Sequence, residues 1–222
     1  MRVSASVRTN DEEGGNQVVI DGTMAMPPGR PCSAARRAGE NAGDMNAIAA
    51  TQHWLEQAVI GLNLCPFAKA VHVKKQIRWV ESPALDAQGL LGDLVQELQF
   101  LAAADPEKVE TTLLIHPHAL TDFLDYNDFL DTADAAIEEL GLAGVLQVAS
   151  FHPDYQFAGT APDDVENLSN RSPYPMLHLL REDSIARAVA AFPEAAAIYE
   201  RNIETLRRVG AAGWHRLMSR SG

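Results

Sequence analysis

Two histidines in this chain each close a hydrophobic run and precede a proline: His116 in TTLLIHPH and His152 in VLQVASFHPDYQFAG. Imidazole titrates near neutrality, so it serves as general acid, general base or metal ligand according to its surroundings. In open α/β folds ligands gather at the ends of strands, where loops carry little packing duty. The proline after each histidine fixes the direction in which the chain leaves and removes a backbone donor. If the two strands are parallel neighbours, His116 and His152 emerge at the same edge of one sheet. His152 would then be the acid-base group, oriented by Asp154, with His116 assisting.

Three further chemistries compete for the same region. His116, His118 and His152 have the donor type of a divalent metal site, and Asp154 would add an oxygen. The H-P-H spacing is no metal signature, and strand-end histidines also simply hydrogen-bond loop backbone. Arg171, in NRSPYP, offers a planar fork suited to a carboxylate or phosphate; with Tyr155, Asn170 and His152 it would hold a small anionic ligand. Its alternative is to pair with Asp163, Asp164 or Glu166 and pin its own loop. Cys65, in GLNLCPFA, is a candidate nucleophile only if its thiol pKa is lowered. At a helix end in apolar surroundings a cysteine is otherwise a packed small residue, unless Pro66 starts a new turn through Phe67-Ala-Lys. No glycine-rich phosphate loop, G-x-S-x-G or CxxC occurs.

The elements that would position these residues follow from periodicity. Ile48, Leu55, Val59 and Leu62 share a helical face, and Pro66 ends that helix near Leu64. Gln76 to Glu81 alternates as a short strand. A helix spans 85–104, a buried-type strand 111–115, and a helix 121–140 stopped by Gly141. Its aspartates at 122, 125, 128, 131 and 134 form a solvated side. A strand runs to Phe151, followed by a loop from His152 to Pro175, long enough to suggest a function. Asp183 or Ser184 caps a helix, and a last one follows Pro193, with Tyr199, Ile203 and Leu206 inward and Gly210 past its end. The alternation predicts a single α/β domain over 45–222: a small, mostly parallel sheet of three or four strands covered by helices, with a C-terminal helical pair.

Residues 1–44 read differently. MPPGRPCSAARRAGENAGD has neither helical nor strand periodicity and too little apolar surface to offset ordering entropy. The segment is expected to be disordered, or to be an extension not normally made, with Met45 or a nearby methionine as the true start.

Composition excludes several classes. The 222 residues carry a formal charge of −12, with 46% hydrophobic and 22% charged residues, so a nucleic-acid or anionic-membrane surface is not expected. Lys74, Lys75 and Arg78 form the densest basic cluster of the body and read as solvated. There is no apolar run of transmembrane length and no secretory h-region. Two cysteines, Cys32 and Cys65, are no disulfide framework and suit a reducing cytoplasm. Oligomeric state is not encoded in any of these patterns.

The segments AVIGLNLCPFAKAV (58–71), FLDYNDFLD (123–131), GVLQVASFHPDYQFAGT (144–160), NRSPYPMLHLLRE (170–182) and RNIETLRRVG (201–210) together resemble a family of bacterial proteins with plastid relatives, the domain of unknown function 1415. The resemblance runs from residue 46 to the C-terminus. Members of that family begin close to the helix containing Trp54-Leu55-Glu56, which implies that residues 1–44 stand outside the domain. The resemblance implies no reaction, substrate or cofactor. The expectation is therefore an enzyme acting on a small anionic molecule through His152, Asp154, His116 and Arg171, or a non-catalytic module that binds a small ligand or divalent metal in the same place.

Overall fold

The computed structural model describes residues 5–7, 18–20, 46–191 and 197–219. Strands β1 (Ala5–Val7) and β2 (Val18–Ile20) pair antiparallel. The rest of the 1–44 segment, Met45 and Pro193 lie outside the described residues.

The body opens with α1 (Ala47–Trp54), capped by Asn46, whose Oδ1 accepts the Ala49 N–H at 2.7 Å. The single helix expected to reach Leu64 changes pitch: Leu55–Ile60 winds as a π-helix, with the Gly61 N–H on the Glu56 carbonyl and the Leu64 N–H on the Val59 carbonyl. Leu55, Ala58 and Val59 are all buried there. After Pro66 a new turn does start, α2 (Ala68–Val73). Then follow β3 (Ile77–Glu81), α3 (Ala87–Ala103), β4 (Thr111–Ile115), α4 (Phe123–Glu139) and β5 (Leu146–Phe151). Asp122 caps α4, Gly141 ends it at φ 67°, and the five aspartates of 122–134 are exposed.

The sequence reading omitted one strand, β6 (Met176–Arg181), and it lies inside the sheet. The order is β3-β4-β6-β5, with β3 and β4 parallel and β6 antiparallel to both its neighbours. Strands β3, β4 and β5 therefore run in one direction and end at one edge, called the carboxyl edge below. Strands β4 and β5 are not adjacent, because β6 separates them. Helix α5 (Glu182–Ala191) continues directly from β6, so neither Asp183 nor Ser184 is its cap. Helix α6 (Ile198–Ser219) breaks at Gly210, φ 64° and ψ 169°, and resumes to bury Trp214. Leu206 is buried as expected, but Tyr199 is 39% exposed.

Side chains alternate between two cores. Leu114, Leu177, Leu179 and Leu146 face α3 and α4, whereas Leu113, Ile115 and Met176 face α1, the π-turn and α6. Arg181 ties the first layer together: its guanidinium donates to the carbonyls of Leu101, Ala104 and Val109, closing the C-terminal end of α3. The lysines at 74 and 75 are solvated. Arg78, its side chain 36% exposed, is also paired: it forms a two-pronged contact with the buried Glu97 and lies over the Phe100 ring.

Candidate functional site at the carboxyl edge

Strand register aligns the chemistry. Glu81 pairs with Ile115, Ile115 with Met176, and Met176 with Phe151, so these four residues form one row across the sheet. One step further along lie Ser82, His116, Pro175 and His152. Their side chains belong to the opposite face, that of α3 and α4. With strands about 4.8 Å apart, the Cα atoms of the two histidines are separated by two spacings, roughly 10 Å. Both histidines are fully buried, with 0% exposure.

The intervening space holds Tyr126 of α4. Its ring stacks near that of His116, with centroids 5.7 Å apart, and lies 5.2 Å from that of His152. Its hydroxyl donates to the Met176 carbonyl at 2.9 Å and accepts the Phe151 N–H at 3.0 Å, bridging the ends of β5 and β6. Burial raises its pKa, so it stays a neutral phenol.

Hydrogen bonding sets the two tautomers. His116 Nδ1 lies 2.9 Å from the Ala119 carbonyl, which can only accept; the proton is therefore on Nδ1 and the Nε2 lone pair is bare. That Nε2 is buried with no hydrogen-bond partner among the described residues. His152 is the reverse. Its Nδ1 accepts the Asp154 N–H at 3.0 Å, so Nε2 carries the proton and donates to the Leu120 carbonyl at 3.3 Å. Leu120 has φ 52°, a left-handed conformation that costs a leucine roughly 1 kcal/mol.

Burial keeps both rings neutral. It pushes His116 down to about 4, against the weaker upward pull of the Ala119 carbonyl. It also lowers His152, with the Asp154 charge the largest opposing influence. Asp154 is exposed, and it meets His152 through its backbone N–H rather than its carboxylate.

The long loop is ordered by its own polar groups and contains a 3-10 turn, Val165–Asn170. Buried Asn167 accepts from the Phe157 N–H and the Thr160 hydroxyl and donates to the Ala161 carbonyl. Asn170 donates to the Ser150 carbonyl, and its own carbonyl accepts the His152 N–H at 3.2 Å. Tyr155 is buried against Phe123, ring centroids 5.4 Å apart. Arg171 donates from Nε to the Tyr155 carbonyl at 3.1 Å and from Nη2 to the Pro162 carbonyl at 2.6 Å. Burial lowers its pKa, against the charges of Asp154 and Asp163.

The structure thus brings His116, His152, Asp154, Tyr155, Asn170 and Arg171 together at one edge. His118 is exposed, and no three His, Cys, Asp or Glu side chains among the described residues converge to hold a metal. Cys65 belongs to the other core, with Trp54 and Leu64. Burial raises its thiol pKa, against hydrogen bonds from the Phe67 and Ala68 backbone.

Sequence reasoning missed two participants. Tyr126 read as one more inward position of an amphipathic helix, although a buried phenol calls for a polar partner. Ser82-Pro83 repeats the strand-end pattern of His116-Pro117 and His152-Pro153, and that third instance passed unnoticed.

Fold and edge together define a mixed-sheet α/β domain with neutral histidines buried where its like-directed strands end. The chain belongs to the protein family of unknown function DUF1415, whose profile matches residues 46–216. No curated protein and no solved structure matches it. No helix among the described residues is long and apolar enough to cross a membrane.

Proposed function

We propose that the carboxyl edge is a small-molecule binding site whose recognition group is the His116 imidazole. The observation that carries this reading is the bare, buried Nε2 lone pair: a desolvated acceptor without a partner costs about 1–3 kcal/mol, which a ligand N–H or O–H would recover. His152, with both nitrogens engaged by backbone, holds the Leu120 and Asp154 segments in place. A second reading, an enzyme acting on a small anion with His152 and Asp154 as the acid-base pair and Arg171 as anion binder, is less favoured, because backbone groups engage both His152 nitrogens and the Arg171 Nε and Nη2 donors meet carbonyls.

The test uses His116→Asn, whose side-chain amide reproduces the Nδ1 donor to Ala119 and removes the Nε2 acceptor. Wild type and variant are incubated with deproteinised cell extract, and retained small molecules are identified by mass spectrometry. Wild type is expected to retain a compound that the folded variant does not. Equal retention profiles would sink the proposal.

A further inference from the structure

We infer that this site extends to the end of β3 and takes a small molecule bearing a primary amine or ammonium group, held between the His116 imidazole and the Asp93 carboxylate. The inference rests on the reading of the carboxyl edge as a ligand site and adds the class of ligand.

Three like-directed strands end in a polar residue followed by proline: Ser82-Pro83, His116-Pro117 and His152-Pro153. The register of β3 and β4 makes Ser82 the neighbour of His116, and the Ser82 N–H donates to the Ile115 carbonyl at 2.7 Å. Their Cα atoms are therefore one strand spacing apart, about 5 Å, with both side chains toward α3 and α4. Ser82 is 1% exposed. Its hydroxyl donates to Asp93 Oδ2 at 2.5 Å and accepts the Ala84 N–H at 3.1 Å. The single hydroxyl proton is thus committed to Asp93, and it fixes that carboxylate beside the histidine row. Asp93 itself is partly exposed, so the pair leads from solvent inward.

The groups here ask for donors. Nε2 of His116 is a lone pair without a partner, and Asp93 is a carboxylate. The N-termini of α3 and α4 also lie at this edge and would favour an anion. Both are already occupied: Asp86 Oδ1 accepts the Gly89 N–H, and Asp122 Oδ1 accepts the Leu124 and Asp125 N–H groups. Arg171 commits its Nε and Nη2 donors to the Tyr155 and Pro162 carbonyls. An incoming anion would meet acceptors and acids. A primary ammonium offers three N–H donors, enough for one on Nε2 and one on the carboxylate, and the formal charge of −12 attracts it.

The full-length protein tests this with 1,4-diaminobutane and ethylammonium as cationic probes, and acetate and inorganic phosphate as anionic ones. The readout is the 15N shift of His116 Nε2. The cations are expected to move that resonance saturably and the anions to leave it in place. Asp93→Asn keeps an oxygen for Ser82 but removes the charge, and is expected to weaken cation binding about tenfold. Should that variant fail to fold, Ser82→Ala frees the carboxylate and is expected to weaken binding about fivefold. The inference is overturned if anions move the resonance and cations do not, if no probe moves it, or if the folded variant binds cations as wild type does. The extract experiment with His116→Asn reads separately whether the edge binds a small molecule at all.

Discussion

His116 and His152 are held by consecutive carbonyls, those of Ala119 and Leu120, and these impose opposite tautomers on the two rings. The left-handed Leu120 turns its carbonyl away from the direction of its predecessor, so one short segment serves both strands. Long-range 1H–15N spectra at neutral pH should therefore show His116 protonated at Nδ1 and His152 at Nε2. Identical tautomers in the two rings would contradict this arrangement.

Buried neutral histidines make the domain sensitive to acid. Burial pushes His116, and also His178 of β6, whose Nε2 lies 2.8 Å from the Thr111 hydroxyl, from 6.5 down to about 4. Between those values the unfolded chain binds more protons than the folded one, so stability is full above pH 6.5 and declines as pH falls toward 4. The slope is at most about 1.4 kcal/mol per pH unit for each histidine. Urea denaturation between about pH 7 and 5, a range above the ordinary carboxylate pKa values, should show it, and His116→Asn should reduce it, leaving the contributions of His178 and His152. A flat profile in wild type would refute the burial argument.

Tyr126→Phe keeps the ring between the histidines and removes only the hydroxyl. The Phe151 N–H and the Met176 carbonyl then each lose a partner. The expected loss is about 2 kcal/mol of stability, with faster amide exchange at Phe151. A loss within measurement error would mean that water replaces the hydroxyl without cost.

Cys65 should behave as a packed thiol. Because burial raises its pKa, little thiolate exists at neutral pH, and alkylation at Cys65, told apart from Cys32 by peptide mapping, should be at least about tenfold slower in the native protein than in denaturant. Rapid alkylation at Cys65 in the folded protein would restore the nucleophile reading.

Much of the architecture was legible in local pattern. TTLLI is buried at every position, and Gly141 and Gly210 both take the positive φ that their places past helix ends suggested. MLHLLR was not legible because a short strand buried on both faces has no alternation to display. The same omission left β4 and β5 as supposed neighbours. At the site, the strand-end histidines and their common edge came from sequence, since element ends are local facts. The row joining Ser82 to His116, the phenol bridging Phe151 and Met176, and the tautomers depend on register, which only tertiary pairing sets. Arg171 shows the limit from the other side: its type suggested an anion, and its neighbours supply carbonyls.

The placement of β6 also orders the birth of the fold. This strand occupies the slot between β4 and β5, yet it is the last of the four to be synthesised. Until Arg181 has left the ribosome, β4 and β5 have no common partner, and the Phe151–Met176 step that Tyr126 bridges does not exist. The nascent chain must hold β5 unpaired and one edge of β4 open, since β3 covers only its other edge, a demand that slows folding and exposes both to association. Completion of the sheet and assembly of the histidine row are then a single late event.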